Sequence, residues 1–238
     1  METVGIYYRQ SPVCIYQSHY TMIKKLSVNI VIFLALLLSN STNVFSQKND
    51  FVKVSDLKEI SEKISDFSNS TNTLTSDFVQ EKHLSVLDQA IISKGKFAYK
   101  KENKILWQYF APINYTIAIN NGKFYIKDEK KISKYDINSN PVFKQINKLI
   151  LSSVKGDIVN SKEFDVEFFK NNNYYLAVLK PKDENVKKVI PKIKIFFNKT
   201  DFSVDVVEMI ENSDDFTKIT FSNKKKNQNL PDNVFNIK

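Results

Sequence analysis

The chain has 238 residues, 42% of them hydrophobic, enough for a substantial core in one large domain or two small ones. Lysine and arginine number 35 against 26 acidic residues, and only four glycines leave little room for glycine-rich phosphate-binding loops. One cysteine and two histidines leave too few ligands for metal sites built from those residues, and a lone cysteine excludes an internal disulfide.

Residues 1–21 show no periodicity and read as an over-extended start ahead of Met22. Residues 22–46 then follow the pattern of a secretory signal peptide: Lys24 and Lys25, an apolar run over 30–38, and Val44-Phe45-Ser46 as a cleavage site. The run is too short for a bilayer, which takes about 20 residues; an uncleaved signal anchor is the alternative. No cysteine follows it, so no lipoprotein acylation site is present. Residues 47–238 read as one exported domain destined for the periplasm, with cleavage near Ser46. Loss of 1–46 removes Cys14, and with it any thiol nucleophile. It also removes Arg9, Lys24, Lys25 and Glu2, leaving 32 basic against 25 acidic residues. Export sets nucleic acid aside as a partner. The surplus positive charge serves solubility, or a mild attraction to anionic lipid surfaces.

Residues 55–67 carry Leu57, Ile60, Ile64 and Phe67 at helical spacing, with Ser55 as the expected N-cap. A strand over 71–83 follows, then strands near 90–100, 103–110, 114–120, 122–128 and 131–136, punctuated by Gly95, Asn103, Pro112 and Asn121-Gly122. The Asn-Gly pair predicts a tight hairpin, because both central positions of a type I′ turn need positive φ. Around Trp107, the only tryptophan, Ile105, Trp107 and Tyr109 share one face while Leu106 and Phe110 take the other. A strand apolar on both faces is packed on one side and needs cover, or a ligand, on the other.

Asn140-Pro141 opens an expected second helix whose apolar face is Val142, Phe143, Ile146, Leu149 and Ile150. Core burial and a position across the mouth of a curved sheet would give the same stripe. Strands near 164–169, 174–179, 193–197, 202–210 and 216–221 complete the chain, with 183–189 a loop or helical turn. About eleven strands are too many for one flat sheet. The expected fold is mainly β with covering helices: a strongly curved antiparallel sheet forming an incomplete β-barrel, in one domain.

Little here points to catalysis. His83 alternates with polar residues as a surface side chain would, and no nucleophile–base pair accompanies it. Asp214-Asp215 and Asp183-Glu184 read as turns. The expectation is a binding module with no catalytic residue, metal or cofactor.

The order of motifs is nevertheless distinctive. An amphipathic helix precedes Ser76-Asp77-Phe78-Val79-Gln80-Glu81-Lys82, then Gly95-Lys96-Phe97-Ala98-Tyr99-Lys100, Ile105-Leu106-Trp107-Gln108-Tyr109 with Pro112, and Asn120-Asn121-Gly122-Lys123. Near the end stand Ile219-Thr220-Phe221-Ser222-Asn223, Asn227 and Leu230-Pro231-Asp232-Asn233-Val234-Phe235. Over residues 50–238 this resembles the outer-membrane lipoprotein carrier protein family (LolA-like). The resemblance implies an eleven-stranded half-barrel with an apolar concave face under a helical lid. It further implies a monomeric carrier that accepts acylated lipoproteins from an ATP-driven release complex of the inner membrane. The cargo then passes to the outer membrane, in some bacteria through a lipoprotein receptor. In that family an arginine ahead of the tryptophan helps hold the lid; the matching position here is Lys101, followed by Glu102. A lysine cannot reproduce a bidentate guanidinium clamp, so the resemblance gives Lys101 as a candidate lid contact without implying how the lid is held.

Physical chemistry agrees with such a role. Each buried CH₂ contributes about 0.8 kcal/mol, so exposing one chain of about sixteen carbons would cost roughly 12 kcal/mol. Apolar walls suffice to shield it. The candidate lining is Phe97, Tyr99, Ile105, Trp107, Tyr109, Tyr115, Ile117 and Phe124 from the sheet, with Phe143, Ile146 and Ile150 from the covering helix. For each residue alone, plain core burial explains the pattern equally well. Two other uses of the same fold stay open: a carrier or export factor for another acylated lipid or glycolipid, and a periplasmic sensor or scaffold.

Overall fold

The computed structural model describes residues 50–101, 103–120, 122–136, 157–211 and 214–237. Both segments expected ahead of the domain, 1–21 and 22–46, and the helix expected after Pro141 lie outside the described residues. The strands are β1 (Val52–Lys53), β2 (Thr73–His83), β3 (Ile91–Lys100), β4 (Lys104–Ala111), β5 (Tyr115–Asn120), β6 (Lys123–Lys127) and β7 (Ile132–Asp136). After them come β8 (Phe164–Lys170), β9 (Tyr174–Pro181), β10 (Lys192–Asn198), β11 (Val204–Ile210) and β12 (Phe216–Lys226). All twelve join one antiparallel sheet in the order β1-β8-β9-β10-β11-β12-β2-β3-β4-β5-β6-β7. It does not close into a barrel. The strand beyond the expected eleven is β1, a two-residue edge against β8, too short to carry any periodic signal.

Two local meanders, β2 to β7 and β8 to β12, are joined where β12 pairs with β2. Gly95 does not end a strand; it sits inside β3 at a bulge against β4. The predicted hairpin between β5 and β6 is present, with Gly122 at φ 69°. The loop or helical turn near 183–189 is a helix, α2 (Glu184–Val189), because Asp183 Oδ1 accepts from the Asn185 and Val186 amides.

The first helix, α1, is Lys58–Asn69, beginning three residues later than the sequence suggested. Ser55 is not its cap. Asp56 Oδ1 accepts from the Lys58 amide at 3.0 Å instead, so a carboxylate satisfies a donor of the first turn. Ile60 and Ile64 of α1 bury against Phe168, Leu179, Ile193, Ile195 and Phe197 from β8 to β10. A second cluster, Phe78, Phe97, Tyr99, Ile105, Tyr109, Ile119, Phe124 and Ile219, occupies β12 and β2 to β6.

Register places both clusters on the same face of the sheet. The other face is charged: Lys194 pairs with Glu208 (3.1 Å) and Lys218 with Glu81 (3.8 Å), and β11–β12 register sets Glu208 opposite Lys218. That face also receives the chain end. Asp232 bonds Lys100 and Lys104, and the Asn120 amide donates to Asn236 Oδ1 at 3.1 Å, beside a fully buried Phe235.

Candidate functional site

Cross-strand register assembles the inner face rung by rung. Phe97 stands opposite Trp107, Trp107 opposite Ile117, and Ile117 opposite Ile126. One rung on, Tyr99, Ile105, Ile119 and Phe124 align; in the other direction, Phe221, Phe78, Gly95, Tyr109 and Tyr115 align. All eight sheet residues expected from the sequence therefore fall on one face, since residues two apart on a strand point the same way. Phe143, Ile146 and Ile150 lie outside the described residues.

Phe78, Phe221, Ile219, Leu74 and Ile126 also belong to this surface but were not expected there. Phe78 and Phe221 enter through the pairing of β2 with β12, strands separated by well over a hundred residues. No local signal marks that contact. Alternation puts Phe78 on the side of Leu74 and Phe221 on the side of Ile219, but Ser76, Gln80 and Lys82 share the first of those sides, so the pattern does not single either ring out.

Aromatic rings dominate. Trp107 lies 5.3 Å from Phe78, 5.1 Å from Phe97 and 5.9 Å from Phe221, all tilted or edge-to-face. Strands β12 and β4 are three positions apart in the sheet, about 14 Å on a flat one. Rings meeting at 5.9 Å across that gap lean together over the inside of the curve, which identifies this face as the concave one. Gly95 makes the arrangement possible. A Cβ there would sit 2.0 Å from the Gln108 carbonyl oxygen and 2.5 Å from Phe78 Cζ, so only glycine lets the Phe78 ring cross β3 to reach Trp107 and Tyr109.

Polar groups on the face are few. Tyr109 donates to Gln80 Oε1 at 2.9 Å and stacks on Tyr115 at 4.2 Å. Burial pushes the Tyr109, Tyr115 and Tyr99 hydroxyls above the ordinary tyrosine range, so all three stay neutral. Beyond Gln80, Lys82 pairs with Glu211, which also accepts from Thr217 Oγ1 at 3.0 Å. The described residues hold no cluster of His, Cys, Asp or Glu suited to a metal ion. His83 stacks on Phe216 at 4.1 Å.

Lys101 sits in the turn between β3 and β4 and reaches α1: its Nζ donates to the Asn69 carbonyl, the last residue of the helix, at 2.9 Å. A cation on the C-terminal carbonyls of a helix is favoured by the backbone dipole. Two further groups hold the same end. Lys226 Nζ reaches Ser70 Oγ at 2.6 Å and lies 4.5 Å over the Phe67 ring. Asn227, at φ 59°, accepts from the Asn72 amide and donates to the Ser70 carbonyl.

An open, curved antiparallel sheet with an aromatic concave face and a helix across its far half defines a half-barrel built for apolar contact. The family model for the outer membrane lipoprotein carrier protein LolA matches residues 69–238. An outer-membrane lipoprotein carrier protein of Francisella tularensis (strain WY96-3418) is 30% identical over 174 residues, 70% of this chain and 78% of the relative. That of Francisella philomiragia is 32% identical over 151 residues, 62% and 68% of the two chains. The chain belongs to the outer membrane lipoprotein carrier protein family. A solved LolA superfamily protein from Nitrosomonas europaea superposes with a TM-score of 0.42 at 12% identity, covering 77% of this chain and 99% of that one.

Proposed function

We propose that this protein is a periplasmic carrier that hides the acyl chains of lipoproteins against its concave face and moves them from the inner to the outer membrane. The observation that supports the reading most is the register that brings Phe97, Tyr99, Ile105, Trp107, Tyr109, Tyr115, Ile117 and Phe124 onto one face, with charges on the reverse. A surface of rings and aliphatic chains with few hydrogen-bonding groups suits hydrocarbon, whose transfer from water needs area and no directional bond. Phe143, Ile146 and Ile150 complete the lining in this proposal. Lys101 is its lid contact, fixing one end of α1.

The protein acts without catalysis: it accepts cargo from an ATP-driven release complex and yields it at the outer membrane or to a receptor there. Release requires modest affinity, which non-directional contacts supply. A fluorescent fatty-acyl probe added to the purified protein should bind one to one and be displaced by a triacylated lipopeptide. Displacement by glycolipid but not by lipopeptide would move the assignment to a carrier of another acylated lipid. Uptake of neither would contradict the proposal and favour a sensor or scaffold.

A further inference from the structure

Among the described residues two buried side-chain polar atoms meet no hydrogen-bond partner, Trp107 Nε1 and Asn120 Oδ1. Asn120 alternates with Ile119 and so belongs to the outer face, where its amide nitrogen already holds the chain end. Trp107 Nε1 lies in the middle of the inner face, one rung from the Tyr109–Gln80 pair, which satisfies itself. The rings around the indole, Phe78, Phe97 and Phe221, offer only their π faces, which are weak acceptors. A buried donor left this way costs about as much as a lost hydrogen bond, and a phenylalanine would fill the same apolar layer without that cost.

We infer that the Trp107 indole N–H is the donor for a ligand carbonyl, so that this face selects esters and amides of fatty acids over hydrocarbon chains that lack a carbonyl. The inference rests on the acyl-chain reading above and adds an anchor point to it. The hydrocarbon spreads over Phe97, Ile117 and Tyr99, while the carbonyl at the head of one chain accepts from Nε1. Desolvation of the site raises the worth of that single bond, because water competes poorly for it. The Tyr109–Gln80 pair then borders the more polar end of the ligand.

The test compares two lipopeptides of equal chain length, one ester-linked and one with ether links in place of the ester carbonyls. The chain has one tryptophan, so a ¹⁵N-labelled sample gives one indole N–H resonance and no assignment is needed. The ester lipopeptide should shift that resonance downfield and bind about tenfold more tightly than the ether, the size expected for satisfying one buried donor. Trp107→Phe should abolish the tenfold preference for the ester over the ether, whatever it does to the affinity for both. Equal binding of the two by the wild type, with an indole resonance that responds alike to both, overturns the inference while the carrier reading stands. Binding of neither overturns both. If Trp107→Phe does not fold, the wild-type resonance and affinity ratio decide alone.

Discussion

At the residue scale, Gly95 carries more of the site than any aromatic side chain. Its missing Cβ opens the path by which Phe78 crosses β3, and the bulge at this point brings the Gln108 carbonyl within 2.0 Å of where that atom would be. Neither neighbour is a flexible side-chain end that can step aside, since one is backbone and the other an aromatic ring packed on two more rings. Gly95→Ala should therefore lower stability by about 3 kcal/mol, as over-packing of a tight core does, and separate Phe78 from Trp107. Urea unfolding read through Trp107 fluorescence measures both effects. An alanine variant as stable as the wild type would show that β3 shifts easily here.

Gly95 also marks where the sequence stops being legible. A lone glycine in a strand pattern announces a bulge, a break or a close approach alike, and only the register of β3 against β4 selects among them. The eight sheet residues of the site were legible because β3 to β6 form consecutive hairpins, where alternation and short turns set register locally. Phe78 and Phe221 were not, because their strands meet only when the two ends of the domain come together.

At the element scale, the C-terminal turn and α1 are held in different ways. The helix is fixed by its C-terminal end, through Lys101, Lys226 and Asn227, and by Ile60 and Ile64 in the core. Its start was misread from sequence because Ser55 has the chemistry of a cap, whereas in the fold the cap position falls on Leu57 and Asp56 meets the Lys58 amide from outside the helix. The C-terminal turn depends on an apolar plug, Phe235, and on one carboxylate. Hydrogen bonds from Lys100 and Lys104 hold Asp232 at about 2, below its ordinary 3.8. A depressed carboxylate adds stability that is in place above 3.8 and is lost as pH falls through about 2. The gap in urea midpoint between wild type and Asp232→Asn should thus be present at pH 5 and closed near pH 2. A gap that persists at pH 2 would mean that the two lysines do not act through its charge. Asp232 is well exposed, so the gap is small beside that for Phe235→Ala, which empties a buried site and should cost about 3–5 kcal/mol at both pH values.

At the scale of the whole molecule, one sheet serves two purposes because its faces differ. The convex face carries the ion pairs, Lys194–Glu208 and Lys218–Glu81 among them. The concave face divides into a half covered by α1 over β8 to β10 and an aromatic half over β12 and β2 to β6. The division follows from topology: the first and last long strands pair at the centre and put one meander on each side. Curvature was expected from strand number, but which face lies inside was not, since Leu106 and Phe110 gave the outer side of β4 an apolar look. The structure leaves Phe110 exposed.

If this concave face holds acyl chains during transfer, an acidic side chain placed on it must block uptake of cargo. The most direct measurement uses spheroplasts that display a labelled triacylated lipoprotein, incubated with wild-type protein, Ile117→Glu or Thr116→Glu. These neighbours on β5 point to opposite faces. Soluble lipoprotein in a one-to-one complex is expected with the wild type and with Thr116→Glu, and none with Ile117→Glu, all three folded by circular dichroism. Release that Ile117→Glu supports as well as the wild type, or no release by any of them, would contradict the carrier reading.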